Sequence, residues 1–378
     1  MALSEKAEAS EPRQANMSPE RRIVKIGQLF MGGDWPVSIQ TMWKSPLPSL
    51  ETGKEPGVES LLAGIRKLET IGCQLLRFAV ADETQAKALG ILAGFSPIPL
   101  VADIHFDWRL ALLCMDYPVA KIRINPGNIG ARWKVKEVAD KAKERGVAIR
   151  IGVNSGSLPE DLRDVEDNAE ACVTAAEREI AYFDELGFSD LVVSMKLNDP
   201  KDVERANRIF AGKYPQPLHL GVTEAGPLIS GVVRNTTALV PLLKDHIGAT
   251  LRVSLSDSME AEVLAAREIL ACAGAAAKGV RIVSCPRCGR ASFDTHAFLS
   301  RWSERLYAID EPVEIAVMGC VVNGPGEARR ADLGITGAGD SVLIFRRGAI
   351  IAREKIAHAD TVFENALSEL IEEKRSKR

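Results

Sequence analysis

Short apolar runs alternate with amphipathic stretches eight times along this chain, and few architectures accept that order. The strand-like runs fall at 37–42, 75–80, 99–104, 120–124, 148–153, 190–195, 217–222 and 250–255. Between them, stretches such as 58–71, 134–145, 168–186, 200–210 and 261–273 carry apolar residues at helical intervals. In the first of these, Leu61, Leu62, Ile65, Leu68 and Ile71 share one face. Strand followed by helix, repeated eight times, predicts an α/β chain folded as a (β/α)8 TIM barrel. An open doubly wound sheet is the other arrangement of such units. It usually opens with a Gly-x-Gly-x-x-Gly turn after its first strand, and none is present here.

The pattern changes at the small, flexible residues Ala273–Gly279. Beyond them, strand-like runs at 281–283, 312–317, 341–345 and 349–352 and helical stretches at 295–308 and 355–374 predict a small α/β domain. The expected organisation is a mobile polar tail at 1–20, a substrate-binding barrel at 21–275 and a second domain at 281–378. A net charge of −3 argues against nucleic acid as a partner, and no apolar run is long enough to predict a membrane span. With no apolar leader at the first residues and seven cysteines, a reduced cytoplasmic protein is expected.

In such a barrel the C-terminal ends of the strands carry the active site. Alternate residues of a strand point the same way, so polar pairs two apart share a face. Asp103 and His105 form such a pair, as do Arg123 and Asn125, Ser194 and Lys196, and Arg252 and Ser254. Arg150 and Asn154 match in parity, Arg77 lies among apolar neighbours, and Glu224 follows the seventh run. Arg77, Arg123, Arg150, Lys196 and Arg252 thus converge on one mouth, where Asp103 and Glu224 are too few to neutralise them. Clustered cations repel unless an anion completes the site, and guanidinium forks match phosphate oxygens. The expected ligand is phosphate-rich, with glycine-bearing turns at 125–130 and 154–157 offering further N–H donors. Asp103 and His105 could instead bind a metal, though a proton-transfer role suits them better beside so many cations.

Four of the cysteines, Cys73, Cys114, Cys172 and Cys272, lie in apolar or helical surroundings and read as buried small hydrophobes. The others differ. Cys285 and Cys288 form a Cys-x-x-Cys turn, and Cys320 follows with 31 residues between, flanked by glycine. Three thiolates suit either an iron–sulfur cluster lacking one ligand or a zinc ribbon with a fourth ligand elsewhere.

Taken together, Asp103-Ile104-His105-Phe106, Arg123–Asn128, Gly152–Ser157, Gly221–Gly226, Cys285-Pro286-Arg287-Cys288-Gly289-Arg290 and Met318–Ala328 resemble, in order, the motifs of the 4-hydroxy-3-methylbut-2-enyl diphosphate synthase family. The resemblance implies a barrel joined to an iron–sulfur domain, in the compact bacterial form, acting as a homodimer in which one chain's cluster domain caps the other's barrel. It implies a 4Fe-4S cluster whose fourth ligand is Glu327, seven positions after Cys320. The implied reaction is reductive opening of 2-C-methyl-D-erythritol 2,4-cyclodiphosphate, with electrons from flavodoxin or ferredoxin. Arg77, Arg123, Arg150, Asn154, Lys196, Arg252 and Ser254 would hold the diphosphate, and Glu224, His105 and Asp103 would deliver protons or position the hydroxyl. The competing reading is a non-redox barrel lyase or synthase on a phosphorylated substrate with a structural zinc ribbon. Trp43 departs from the family pattern, which has small residues around Met42, and is bulky for a site wall.

Overall fold

The computed structural model describes residues 19–377 except 155, 157, 276–278, 323–325 and 327. Residues 1–18 of the expected tail, and the expected ligand Glu327, therefore lie outside the described residues.

The chain begins with an antiparallel hairpin, β1 (Val24–Ile26) and β2 (Leu29–Met31). The barrel strands follow as β3 (Ser38–Met42), β4 (Leu75–Val80), β5 (Leu100–Ile104), β6 (Lys121–Ile124), β7 (Ala148–Asn154), β8 (Leu191–Lys196), β9 (His219–Leu220) and β10 (Thr250–Leu251). They form one 8-stranded sheet with parallel pairing. A parallel bridge from Val193 to Leu218 joins β8 to the approach of β9 and closes the ring. The expected (β/α)8 barrel is borne out. Its last two strands are shorter than the apolar runs suggest, because His219 and Thr250 each open a pair of only two residues.

Helices α1 (Pro56–Thr70), α2 (Glu83–Ala93), α3 (Trp108–Cys114), α4 (Pro126–Ile129), α5 (Arg132–Arg145), α6 (Asn168–Glu185), α7 (Pro200–Lys213), α8 (Leu228–Lys244) and α9 (Met259–Cys272) link and surround the strands. Several start on side-chain caps: Asp82, Asp107, Asp167, Asp199 and Ser258 accept from N–H groups of their first turns. Outward residues such as Leu76, Phe78, Ile122, Ile149 and Val193 join the helices in one large core. Inward residues make a different stack. Leu75, Val101, Ala148, Val192 and Ala249 form an apolar layer at the strand starts, sealed by Val24, Ile26 and Met31 of the hairpin. Above that layer the interior turns polar.

A second, 5-stranded sheet holds β11 (Val280–Ser284), β12 (Val313–Met318), β13 (Leu333–Ala338), β14 (Ser341–Arg346) and β15 (Ala349–Lys355) in that order. The first three are parallel and the last two antiparallel. Helices α10 (Thr295–Tyr307) and α11 (Ala359–Ser376) share one face of the sheet. Phe298, Trp302 and Phe363 meet there with ring centroids 4.9–5.6 Å apart. Arg267 of α9 ties the two parts: its Nη1 donates to the carbonyls of Ile71 (2.9 Å) and Tyr307 (3.2 Å), and its guanidinium lies 5.2 Å from the Tyr307 ring centre. Helices of a barrel run against their strands, so the late position of Arg267 in α9 puts this tie at the end away from the mouth.

Candidate functional site

At the mouth, Asp103 is almost wholly buried and organises the cations around it. Arg123 Nη1 donates to Asp103 Oδ1 at 3.0 Å, Arg77 Nε lies 3.5 Å from Oδ2, and His105 Nε2 lies 3.9 Å from the same oxygen. The parallel register explains the grouping, since Asp103 pairs with Arg123 and Arg123 with Arg150. Burial alone would raise the Asp103 carboxyl, but Arg77 and Arg123, aided by His105 and Arg150, hold it below the usual carboxylate range. Asp103 is thus a fixed anion rather than a proton store.

Arg77 also donates to the Met42 sulfur, at 3.2 Å from Nε and 2.7 Å from Nη2. Burial draws its guanidinium down to about 10, partly opposed by Asp103. Arg150 is fully enclosed, and its Nε and Nη1 find no hydrogen-bond partner among the described residues. Burial and the neighbouring arginines push Arg150 and Lys196 well below their ordinary values. An anion placed among these side chains would relieve their mutual repulsion.

Two glycines make room for these side chains. A β-carbon on Gly152 would lie 2.6 Å from Arg123 Nε, and one on Gly221 would lie 2.8 Å from Lys196 Nζ. Asn154 and Ser254, at the tops of their strands, are partly exposed. Glu224 is exposed and has a positive φ of 52° just beyond β9, which lifts its side chain out of the strand path. His105 is exposed at the rim.

The charge balance needs one correction. Glu262, a buried residue of α9, reaches into the mouth and binds Arg252 through both oxygens at 3.1 and 3.2 Å. It also accepts from Thr41 Oγ1 at 2.6 Å and Leu255 N at 3.1 Å, and Lys44 Nζ lies 3.1 Å away. Arg252 is therefore held by a carboxylate that sequence reasoning missed, because a helix residue's reach into a barrel leaves no mark in strand parity. Trp43 is also relocated. Its ring stacks on Phe78 at 5.5 Å and abuts Gly64 of α1, so it faces the helix layer and not the pocket.

The three distinctive cysteines lie in the second sheet. Cys285 follows β11 and Cys320 follows β12, so neighbouring parallel strands deliver both to one edge. Gly319 N donates to Cys285 Sγ at 3.1 Å, and Thr336 Oγ1 donates to Cys320 O at 2.8 Å. Cys288 is exposed in the loop between, Cys285 is half-buried and Cys320 is buried. Among the described residues no three His, Cys, Asp or Glu side chains converge on a single ion. An iron–sulfur cluster takes one thiolate per iron and spreads its ligands wider; cysteines delivered to one sheet edge, with an N–H donor at one sulfur, suit such a group. Of the remaining cysteines, Cys73, Cys114 and Cys172 are buried, with burial pushing each thiol up to about 12. Cys272 is exposed, contrary to expectation, because α9 ends on it with its apolar face turned elsewhere.

Comparison with known proteins covers both parts. The GcpE TIM-barrel domain matches residues 21–267, and the GcpE protein C-terminal domain matches residues 281–373. A Treponema pallidum protein named 4-hydroxy-3-methylbut-2-en-1-yl diphosphate synthase (flavodoxin) is 51% identical, over 91% of this chain and 89% of its own. Proteins of the same name from Treponema denticola (48%; 92% and 96% covered) and Geobacter sulfurreducens (42%; 91% and 95% covered) are similar along nearly the same length. Matched in both parts and in order, the chain belongs to the GcpE family.

Proposed function

We propose that this protein reductively opens 2-C-methyl-D-erythritol 2,4-cyclodiphosphate to 4-hydroxy-3-methylbut-2-enyl diphosphate. The observation that carries this is the buried set of Arg77, Arg123, Arg150 and Lys196, which crowds four basic side chains around Asp103 at the barrel mouth while Glu262 is committed to Arg252. Such a set gains most from a ligand bearing two phosphates. The names of its relatives favour this reaction over a non-redox lyase or synthase.

In the reaction the ring C–O bond to phosphate and the neighbouring C–O bond to hydroxyl break, a C=C bond forms, two electrons and one proton enter, and water leaves. Cys285, Cys288, Cys320 and Glu327 would hold a 4Fe-4S cluster, which when bound would supply single electrons and Lewis acidity toward the hydroxyl. Thiolate and carboxylate differ in hardness, so Glu327 would be the more labile ligand. Arg77, Arg123, Arg150, Lys196 and Arg252, with Asn154 and Ser254, bind the phosphates and stabilise charge on the departing phosphate oxygen. Asp103 orients Arg123 and Arg77. Proton delivery falls to Glu224, with His105 the second donor at the rim.

The tie through Arg267 holds the second domain at the barrel end away from the mouth. That supports a homodimer in which the cysteines of one chain serve the mouth of the other. The relatives' names support flavodoxin as electron donor, and we place the protein in the cytoplasm; no described helix is long and apolar enough to cross a membrane.

Protein isolated without oxygen should contain iron and acid-labile sulfide and convert the cyclodiphosphate with reduced flavodoxin. Zinc without sulfide would overturn the redox reading. Arg150→Met should weaken substrate binding about ten-fold or more, read by titration calorimetry. Glu224→Gln should lower kcat while binding is kept.

A further inference from the structure

Below the arginines the barrel interior holds a second polar layer that the reaction above does not use. Lys121 opens β6 two residues before Arg123, on the same inward face and about 7 Å deeper. It is fully buried, and its Nζ meets no hydrogen-bond partner among the described residues. His219 opens β9 opposite Thr250 and is equally buried, and among the described residues neither its ring nitrogens nor Thr250 Oγ1 finds a hydrogen-bond partner. Gln40, inward on β3, leaves both amide atoms in the same condition. Lys121 pairs in register with Val101 and Ala148 of the apolar layer that the hairpin seals, so it stands at the boundary between that layer and the mouth. A buried basic group without a partner is costly, and a residue chosen only to fill space would be apolar.

We propose that Lys121, with His219 in the same interior, is a charge-compensating floor that takes up a proton when the diphosphate of the substrate fills the mouth above it. This rests on the reading of that mouth as the diphosphate site. The residues paired directly with Lys121 on β5 and β7 are the apolar Val101 and Ala148, and the charged groups that act on it come from β4 and β7. Arg77 and Arg150 lie closest electrostatically, and both oppose a charge on it after burial has already done so. Beyond them are Lys196, His219 and Arg252, with Arg123 on its own strand. The carboxylates are committed elsewhere: Asp103 to Arg123 and Arg77, Glu262 to Arg252. His219 is pushed down by burial and then by Arg150, Lys196 and Lys121. Without ligand, burial and the facing guanidiniums of Arg150 and Arg77 draw the Lys121 amine well below its ordinary value, and no carboxylate among the described residues offsets them. Two negative phosphates seated on the arginines reverse the local potential, and Nζ takes one proton from solvent to become an ammonium. No bond to the ligand forms or breaks. Ring opening then frees a phosphate oxygen and adds one negative charge to the bound diphosphate, and the ammonium beneath offsets it. Lys121 acts through the field at Arg123 and Arg150 and is a positioning residue.

Titration calorimetry of the cluster-loaded protein with the cyclodiphosphate, in buffers of different ionisation enthalpy, tests this directly. Each phosphorus of the ligand carries one strongly acidic hydroxyl, already ionised at neutral pH, so the ligand does not titrate there. At pH 8 binding should draw in about one proton per site, and Lys121→Met should bring this close to zero. Lys121→Gln serves as a second non-titrating variant should the methionine not fold. Tight binding with no proton uptake overturns the floor but keeps the diphosphate site. Uptake that survives in both Lys121 variants overturns it as well, whichever other group takes the proton. No binding of the cyclodiphosphate at all overturns the reading of the mouth itself.

Discussion

Arg123 lies against the backbone of Gly152, where a β-carbon would come within 2.6 Å of its Nε and 2.7 Å of its Nη2. Neither atom can retreat far, since Nη1 is fixed to Asp103 at 3.0 Å and the side chain is buried. Gly152→Ala should therefore leave the barrel folded but displace the guanidinium. Substrate affinity should fall about ten-fold, equivalent to about 1.4 kcal/mol, with little change in the denaturation midpoint. A binding titration beside a denaturant curve separates the two. At this scale the sequence was informative wherever strand parity applied: Asp103, Arg123, Arg150 and Lys196 all face inward, as their spacing predicts. Lys121 and His219 carried the same signal, since each stands two residues before an inward position. Glu262 carried none. Its reach to Arg252 and Thr41 depends on how α9 is seated, which helical periodicity alone does not specify.

The elements show a similar division. Eight barrel strands were legible because each is an apolar run between turns, although β9 and β10 pair over only two residues. In the second sheet β13 was not. Its sequence, Leu-Gly-Ile-Thr-Gly-Ala, has two glycines where a strand usually carries bulk. The packing explains them. A β-carbon on Gly334 would lie 2.1 Å from Phe345 Cζ, and one on Gly337 would lie 2.6 Å from the carbonyl oxygen of Gly319. Phe345, on the neighbouring β14, lies flat across β13 and fills the space that a side chain would take. Because Phe345 is fully buried, Gly334→Ala forces a shift in packed surroundings and should destabilise the protein by about 1–3 kcal/mol. A lowered denaturation midpoint with unchanged substrate affinity is the expected pattern, because the barrel mouth is not involved.

The whole molecule separates two kinds of chemistry between two folding units. Cations gather at the C-terminal ends of the barrel strands, while the cysteines gather at the C-terminal ends of β11 and β12. Arg267 fastens the second unit beside Ile71 and Tyr307, at the barrel end opposite the cations. A single chain so tied presents its thiols away from its own mouth, whereas a two-fold pair can bring each sheet to the other's barrel. This arrangement predicts complementation between inactive variants. Arg123→Met disables the mouth and Cys320→Ser disables the thiol site, so each homodimer should be nearly inactive. In a mixed dimer, one composite site joins an intact mouth to intact cysteines and the other joins both defects. Random exchange at equal amounts makes half the dimers mixed, each with one working site, so activity should recover to about a quarter of the native level. If both defects act within one chain, mixing restores nothing. Subunit exchange under anaerobic conditions, followed by a turnover assay with the cyclodiphosphate, distinguishes the two arrangements.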